Sequence, residues 1–334
     1  MGRDSKLIAP SASSVLLAGS LAAAMLFVCP ALVDPYTLAQ SAGAALFIAL
    51  LWLWIYVDYE SLPLSVSHAL PSLLILAAMI ASALTSADRA VAWLGPSHLH
   101  AYGLAAAIVF GAVHLATHVV GVARSSVWIV SAAGAVLGIS AFAQWSGAGV
   151  LPGFWAPLVD GRATSLLGSP VSLGAVLAVA IPFAAVLVGT GRGWQPLLAS
   201  GFLFLMLVGL FLSRSRGAWV SGAVGLGVAL FWILGRGSRR SLLIVSAIAI
   251  LGMSSAIFLR RAGSSDASRV AVWRSGLRIA IAHPILGSGP GAFENTLGQF
   301  TDERFIALHG RIHTQGHAHN GPINAAATGG LVLV

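Results

Sequence analysis

GFLFLMLVGLFLSRSRGAWVSGAVGLGVALFWIL, residues 201–234, decides the fold. An apolar run, a short island carrying Arg214 and Arg216, and a second apolar run follow one another directly. The spans to which these runs belong, 196–212 and 217–235, approach the ~20 residues that a helix needs to cross a bilayer. Helices satisfy their own backbone in lipid, so the island reads as a tight connection at one membrane face. The same alternation recurs along the chain. Stretches free of Asp, Glu, Lys and Arg predict nine spans, near 13–33, 38–57, 68–86, 101–121, 127–146, 170–189, 196–212, 217–235 and 241–258. A tenth opens near Pro322 and is cut short at Val334. The expected fold is all-α, a polytopic transmembrane helix bundle of about ten spans. Its expected organisation is a bundle over 1–259, a long polar loop with short amphipathic helices over 260–320, and the start of a truncated span over 321–334.

Composition points the same way. Charged residues make up 8% of the chain and hydrophobic ones 57%, whereas a soluble domain carries about 25% charge. The formal charge of +8 comes almost entirely from arginine. In a membrane protein that surplus speaks for orientation and for contact with anionic membrane lipid. No basic patch is interleaved with a soluble fold, so nucleic acid is not an expected partner. Cys29 stands alone in an apolar run, which rules out an internal disulfide and leaves the redox compartment open. The first apolar run is long enough to span and others follow, so no cleavable signal peptide is expected.

With the N-terminus inside, cytoplasmic segments would hold Arg3, Lys6, Arg124, Arg192, Arg236, Arg239 and Arg240, and short outer loops Arg89, Arg162, Arg214 and Arg216. Trp52, Trp54, Trp128, Trp194 and Trp232 then fall near inner ends, and Trp145, Trp155 and Trp219 near outer ones, as in an interfacial belt. This orientation puts the 260–320 loop outside. Arg214 and Arg216 lie where the insertion rule disfavours arginine, which makes them functional candidates. Two residues apart, they would point in nearly opposite directions on a helix. Arg216 with Gly217 instead suits the N-terminus of the following span, where free N–H groups and the helix dipole attract an anion. A guanidinium at that end makes a diphosphate clamp; the alternative is that both arginines reach lipid headgroups.

In the long loop, Val270, Trp273, Leu277 and Ile281 recur at helical spacing and predict a surface helix over 267–282, capped by Asp266 or Ser268 and ended by Pro284. Arg274 and Arg278 share one flank of that stripe and suit headgroups; Arg269 lies on the other. The glycine-rich stretch 284–291 has neither a preceding strand nor a following Lys-Ser/Thr, so it reads as a tight turn and not as a phosphate loop. His309, His313, His317 and His319 follow. The first three have helical spacing, but no Asp, Glu or Cys stands near at ligand spacing, so no metal or other cofactor is expected. No Asp-x-Asp pair is present to hold Mg²⁺ on a diphosphate. A neutral imidazole is suited to take a proton from a hydroxyl. His114 and His118, within the fourth span, read as bundle-facing polar residues.

Three segments, in this order, resemble the O-antigen ligase/polymerase superfamily of bacterial envelope proteins, the Wzy-like and WaaL-like group. SRSRGAW (213–219) matches a Ser-Arg-Gly motif opening a span. RVAVWRSGLRIAIAHPILGSGPGAF (269–293) matches an Arg-x-x-x-Trp helix followed by a Pro- and Gly-rich turn. HAHNGPINAAATGGL (317–331) matches a His-Asn motif leading into the next span. The resemblance covers roughly 213–331; residues 1–200 share only the multi-span pattern. It implies a metal-independent, membrane-embedded glycosyltransferase of the bacterial inner membrane, with its active site facing the periplasm. Its donor would be a glycan on undecaprenyl diphosphate, and its acceptor a hydroxyl on a glycan, lipid A core or protein. Carried over, Arg216 and Arg269 would bind the diphosphate, and His319 would be the base or would position the acceptor, supported by Asn320. Arg214, Arg274 and His317 are secondary substrate-binding candidates. Thr328 departs from the family, in which many members place an acid nine positions after the histidine, and Pro322 stands where a smooth helix usually starts. The competing readings are a membrane transporter, since similar proteins carry a bicarbonate-carrier label, and a non-catalytic membrane protein. The near absence of ionisable residues midway along the spans speaks against a transport path. Ligase and polymerase stay undivided.

Overall fold

The computed structural model describes residues 12–26, 37–58, 66–96, 103–120, 123–148, 158–234, 264–310 and 315–333. The helices are α1 (Ala12–Leu26), α2 (Thr37–Asp58), α3 (Val66–Thr85), α4 (Arg89–Leu94), α5 (Leu104–Val120), α6 (Arg124–Ser146), α7 (Pro170–Thr190), α8 (Gln195–Leu212), α9 (Arg216–Ile233), α10 (Ser264–Ala282), α11 (Phe293–Leu297), α12 (Glu303–His309) and α13 (Gly321–Gly329). Among the described residues the only extended pairing is an isolated bridge between Val159 and Arg162. The all-helical expectation holds. Four helices, α6 to α9, are long and apolar enough to cross a membrane by length and composition, and α1, α2, α3 and α5 contain shorter apolar stretches. The expected span at 241–258 lies outside the described residues.

The chain divides into two compact units. The first comprises residues 1–30, 42–57 and 120–260. Its core is α6 to α9 with α1, packed around Leu137, Leu173, Leu177, Ile181 and Met206, all fully buried. Apolar matter alone cannot drive helices together inside lipid, so close backbone approach has to supply the contact. Gly134 and Gly138 provide it on α6. A side chain at Gly138 would run into the Leu205 carbonyl of α8, and one at Gly209 would lie 2.9 Å from the Gly138 Cα. At one end of this bundle Arg124 donates to the Thr190 carbonyl (3.1 Å) and to Gln195 Oε1 (3.2 Å), and Trp128 lies against Trp194. Trp145, in the last turn of α6, and Trp219, in the first turn of α9, belong to the opposite end.

The second unit comprises 31–41, 58–119 and 261–334. Its core gathers Ala271, Val272, Ile279, Phe293, Leu297, Phe305, Ala318 and Ala327 from α10 to α13. The long loop is thus a small helical core of its own. α10 starts at Ser264, earlier than expected, and Ser268 is inside the helix, bonded to His309 Nε2 at 2.6 Å. The buried face of α10 is Ala271, Val272, Ser275, Gly276 and Ile279, not the larger stripe. Val270, Leu277 and Ile281 are exposed, the last by 78%. Small residues win the inner face because α13 packs so tightly there: a side chain at Gly276 would lie 2.8 Å from Ile323. His114 and His118 are exposed on α5 with ring centroids 4.9 Å apart, and do not face a bundle interior.

The glycine-rich turn after α10 terminates α13. Ser288 and Gly289 N–H groups donate to the Ala327 and Thr328 carbonyls (2.9 and 3.0 Å), and Ser82 Oγ also donates to Thr328 O (2.9 Å). These bonds satisfy carbonyls that the helix end leaves over. Gly287 (φ 65°), Gly289 (φ 114°) and Gly291 (φ 70°) allow the approach. The expected tenth span does not run on smoothly: α13 ends at Gly329, Gly330 turns left-handed (φ 67°), and a 3₁₀ turn follows.

Candidate functional site

In the first unit the decisive corner joins α8 to α9. Ser213 Oγ donates to the Leu210 carbonyl (2.7 Å) and accepts from the Ser215 N–H (3.3 Å). Arg214 is left-handed (φ 46°), Ser215 is extended, and Arg216 opens α9. The Ser215 side chain makes no capping bond among the described residues, so the first-turn N–H groups of α9 keep the anion-binding character of a helix start. Trp219, one turn into α9, donates its indole N–H to Leu210 O (2.8 Å) and stacks on Phe211. It ties the start of α9 to the end of α8.

A loop absent from the sequence-level site completes this corner. Val159 and Arg162 exchange two backbone bonds of 3.0 Å around Asp160 (φ 52°) and Gly161 (φ 70°), a two-residue primed turn. Arg162 Nε donates to Ser213 O (3.0 Å), and Ala163 N–H to Leu212 O (3.1 Å). Arg214 Nη1 lies 3.7 Å from where a side chain on Gly161 would begin. Arg162 therefore joins Arg214 and Arg216. The signal was in the sequence: Asp-Gly is a strong turn pair, and Arg162 directly follows it.

In the second unit His319 sits just before α13, also left-handed (φ 52°). Its Nε2 bonds Gln315 Oε1 at 3.0 Å, and its ring centroid is 4.2 Å from that of His317. With an amide oxygen as acceptor the proton belongs on Nε2, leaving the Nδ1 lone pair to accept a proton. Burial, and then the positive charge of Arg269, hold His319 below its usual imidazole range. Burial, and then His319, push His317 down to about 4. Both rings are therefore neutral at neutral pH. Asn320 is the N-cap of α13, its Oδ1 accepting from the Ile323 N–H (3.2 Å), while Asn324 Oδ1 accepts from the Ala318 N–H (3.0 Å). Pro322 falls in the first helical turn, where proline costs nothing. Thr328, the departure from the family pattern, is buried with its hydroxyl on the Asn324 carbonyl (2.8 Å).

Arg269, His317, His319 and Asn320 are thus gathered in this unit. Arg274 is placed differently, with its charge acting on Asp302 beside Arg278, which bridges Asp302 at 3.2 Å. The Phe305 N–H bond, first of all, keeps the Asp302 carboxyl below its usual range. His309 stacks on Phe305 (4.4 Å) and bonds Ser268, so it is bound into the helical core; His313 lies outside the described residues. No group of three or more His, Cys, Asp or Glu converges among the described residues.

Non-glycine residues at positive φ are Asp160, Ser165, Arg214 and His319 among the described residues. Each conformation costs of order 1–3 kcal/mol, and such strain concentrates at functional sites. Three belong to the Arg162–Arg214–Arg216 corner and the fourth is the histidine.

Residues 201–334 match the family model described as O-antigen ligase. No curated protein and no solved structure matches the chain. The matched segment contains both polar motifs, Arg214–Arg216 and His317–Asn320, on a chain whose helices mark it as a membrane protein. Over residues 201–334 the chain is thus similar to the O-antigen ligase family, which supports the resemblance read from its three motifs.

Proposed function

We propose that the chain moves a glycan from undecaprenyl diphosphate to an acceptor hydroxyl at the periplasmic face of the bacterial inner membrane, without a metal. Arg216 and Arg269 hold the diphosphate, and His319 takes the acceptor proton. Arg214 supplements Arg216. Of the secondary candidates, His317, whose ring lies against that of His319, contacts substrate, Asn320 fixes the turn that carries His319, and Arg274 binds lipid headgroups or the donor's outer part.

Attack of the acceptor oxygen on the anomeric carbon breaks the bond to the diphosphate, and negative charge grows on the departing oxygen. Guanidinium groups and a helix N-terminus stabilise that charge without reorganising. The acceptor proton passes to a neutral imidazole as the new bond forms. The observation that carries the reading is His319 itself: a solvent-reachable histidine under the positive charge of Arg269, kept unprotonated and bonded so that one nitrogen can accept.

The experiment is transfer in membranes by Arg216→Ala, Arg269→Ala and His319→Ala, with EDTA in parallel. Loss of either arginine should cost about 10²–10³-fold, and loss of the histidine about 10²–10⁴-fold, with EDTA without effect. Strong inhibition by EDTA, or near-normal transfer by His319→Ala, overturns the mechanism.

A further inference from the structure

We infer that Arg162 is a positioning residue for the Arg214–Arg216 turn, and that the loop 159–167 exists to hold it there; this rests on the proposed donor role of Arg216. Irregular backbone is tolerated near a membrane only where protein satisfies it. Here it is satisfied bond by bond. Gln144, at the end of α6 and 5% exposed, accepts from the Thr164 and Ser165 N–H groups (2.8 and 2.9 Å) and donates to Thr164 Oγ1 (2.9 Å). Ser165, fully buried and left-handed, donates its hydroxyl to the Leu137 carbonyl (2.9 Å). A buried glutamine in an apolar bundle is costly unless its polar atoms are used, and this one gives three bonds to the loop.

The held loop delivers two donors to the end of α8: Ala163 N–H to Leu212 O and Arg162 Nε to Ser213 O. Both carbonyls lie within the last turn or just beyond it, where a helix has no internal partner for them. Closing α8 at Ser213 obliges the next residue, Arg214, to leave the helix, and it does so left-handed. Only then can Arg216 open α9. The strain at Asp160, Ser165 and Arg214 is therefore shared by one device, which fixes the turn before any ligand arrives. Arg162 acts through Ser213 and not through contact with the reacting atoms.

The test is steady-state transfer by the full chain in proteoliposomes, comparing Arg162→Ala, Arg162→Lys and Thr164→Val with the parent, and Arg216→Ala alongside. Thr164→Val loosens the loop without touching an arginine, so it answers even if Arg162→Ala folds poorly. The expected result is a donor KM raised about tenfold in Arg162→Ala and in the same direction in Thr164→Val. kcat and acceptor KM should hold, and Arg162→Lys should partly recover. Inhibition by inorganic pyrophosphate should weaken in step. A donor KM unchanged in both, or kcat falling with the amount of folded protein while KM stays fixed, overturns the positioning role. Normal transfer by Arg216→Ala would instead sink the donor reading and this inference with it. Loss in Arg216→Ala with Arg162→Ala and Thr164→Val unchanged sinks the inference alone.

Discussion

Replacing Asn320 separates two roles that its position allows. As N-cap, its Oδ1 serves the Ile323 N–H at 3.2 Å and fixes the start of α13, one residue after the strained His319. Asn320→Ala removes the acceptor and should cost about 1 kcal/mol of local order, which corresponds to roughly a fivefold loss in the fraction of chains presenting His319 correctly. The loss is bounded because Asn324 Oδ1 still holds the Ala318 N–H at 3.0 Å. Asn320→Asp keeps the capping oxygen, and its negative charge suits a helix N-terminus, so it should transfer at close to the parental rate. The assay is initial-rate transfer from a lipid-linked diphosphate glycan, with hydrogen exchange at the Ile323 amide as the structural readout. If Asn320→Asp is as damaged as Asn320→Ala while that amide stays protected, the side-chain amide touches substrate and the capping account is wrong.

Two further expectations follow from the same geometry. Because His319 is held below the usual imidazole range, transfer should be flat through neutral pH and fall only on acidification below about 6.5. Arg269→Gln should move that limb to higher pH on the residual activity, whereas Arg269→Lys should not. His317, folded at about 4 against 6.5 unfolded, contributes stability that is complete above pH 6.5 and lost as pH falls towards 4, because the unfolded state binds the proton first. The full shift is about 3 kcal/mol, and roughly half of that survives solvent screening of a partly exposed ring; thermal unfolding of His317→Ala at several pH values checks it. In the bundle, Gly209→Val should lower the melting temperature in detergent through about 1–3 kcal/mol of overpacking, because its side chain would meet α6. Gly201→Val on the same helix, with nothing within 4 Å of the added atom, should leave it unchanged.

How much of this was legible in the sequence depends on what each signal measures. Uncharged runs report membrane helices because burial in lipid forbids charge; eight of the nine expected complete spans overlap described helices, four of which are long and apolar enough to cross a membrane. Arg216 opening α9 was legible for the same reason, since an abrupt change of polarity marks a boundary. The surface helix α10 was legible from its stripe, but the face on which it packs was not. Large apolar residues usually point inward, but Gly276, Ala271 and Ser275 face α13 and its neighbours because only small residues allow so close a contact, and the larger stripe is left outside. The break at Gly330 and the role of Arg162 depend on partners far away in sequence, the Pro284–Gly291 turn in one case and Ser213 in the other. Local periodicity carries no record of either.

The two motifs that the sequence singled out share a local construction. In each, a left-handed non-glycine residue precedes an extended residue, which precedes a helix start: Arg214, Ser215, Arg216 in one unit and His319, Asn320, Gly321 in the other. They differ in what satisfies the start. Asn320 caps α13 with its own side chain, which is the stable solution. Ser215 makes no such bond to α9, and arginine at the first helical position adds positive charge where the helix dipole is already positive. By itself that arrangement is unfavourable by several tenths of a kcal/mol, and the left-handed Arg214 beside it adds strain. Both costs become useful once a dianionic group occupies the helix start, because the same field then attracts it. Under the proposed function, the capped start carries the proton acceptor His319 and the uncapped one receives the anion.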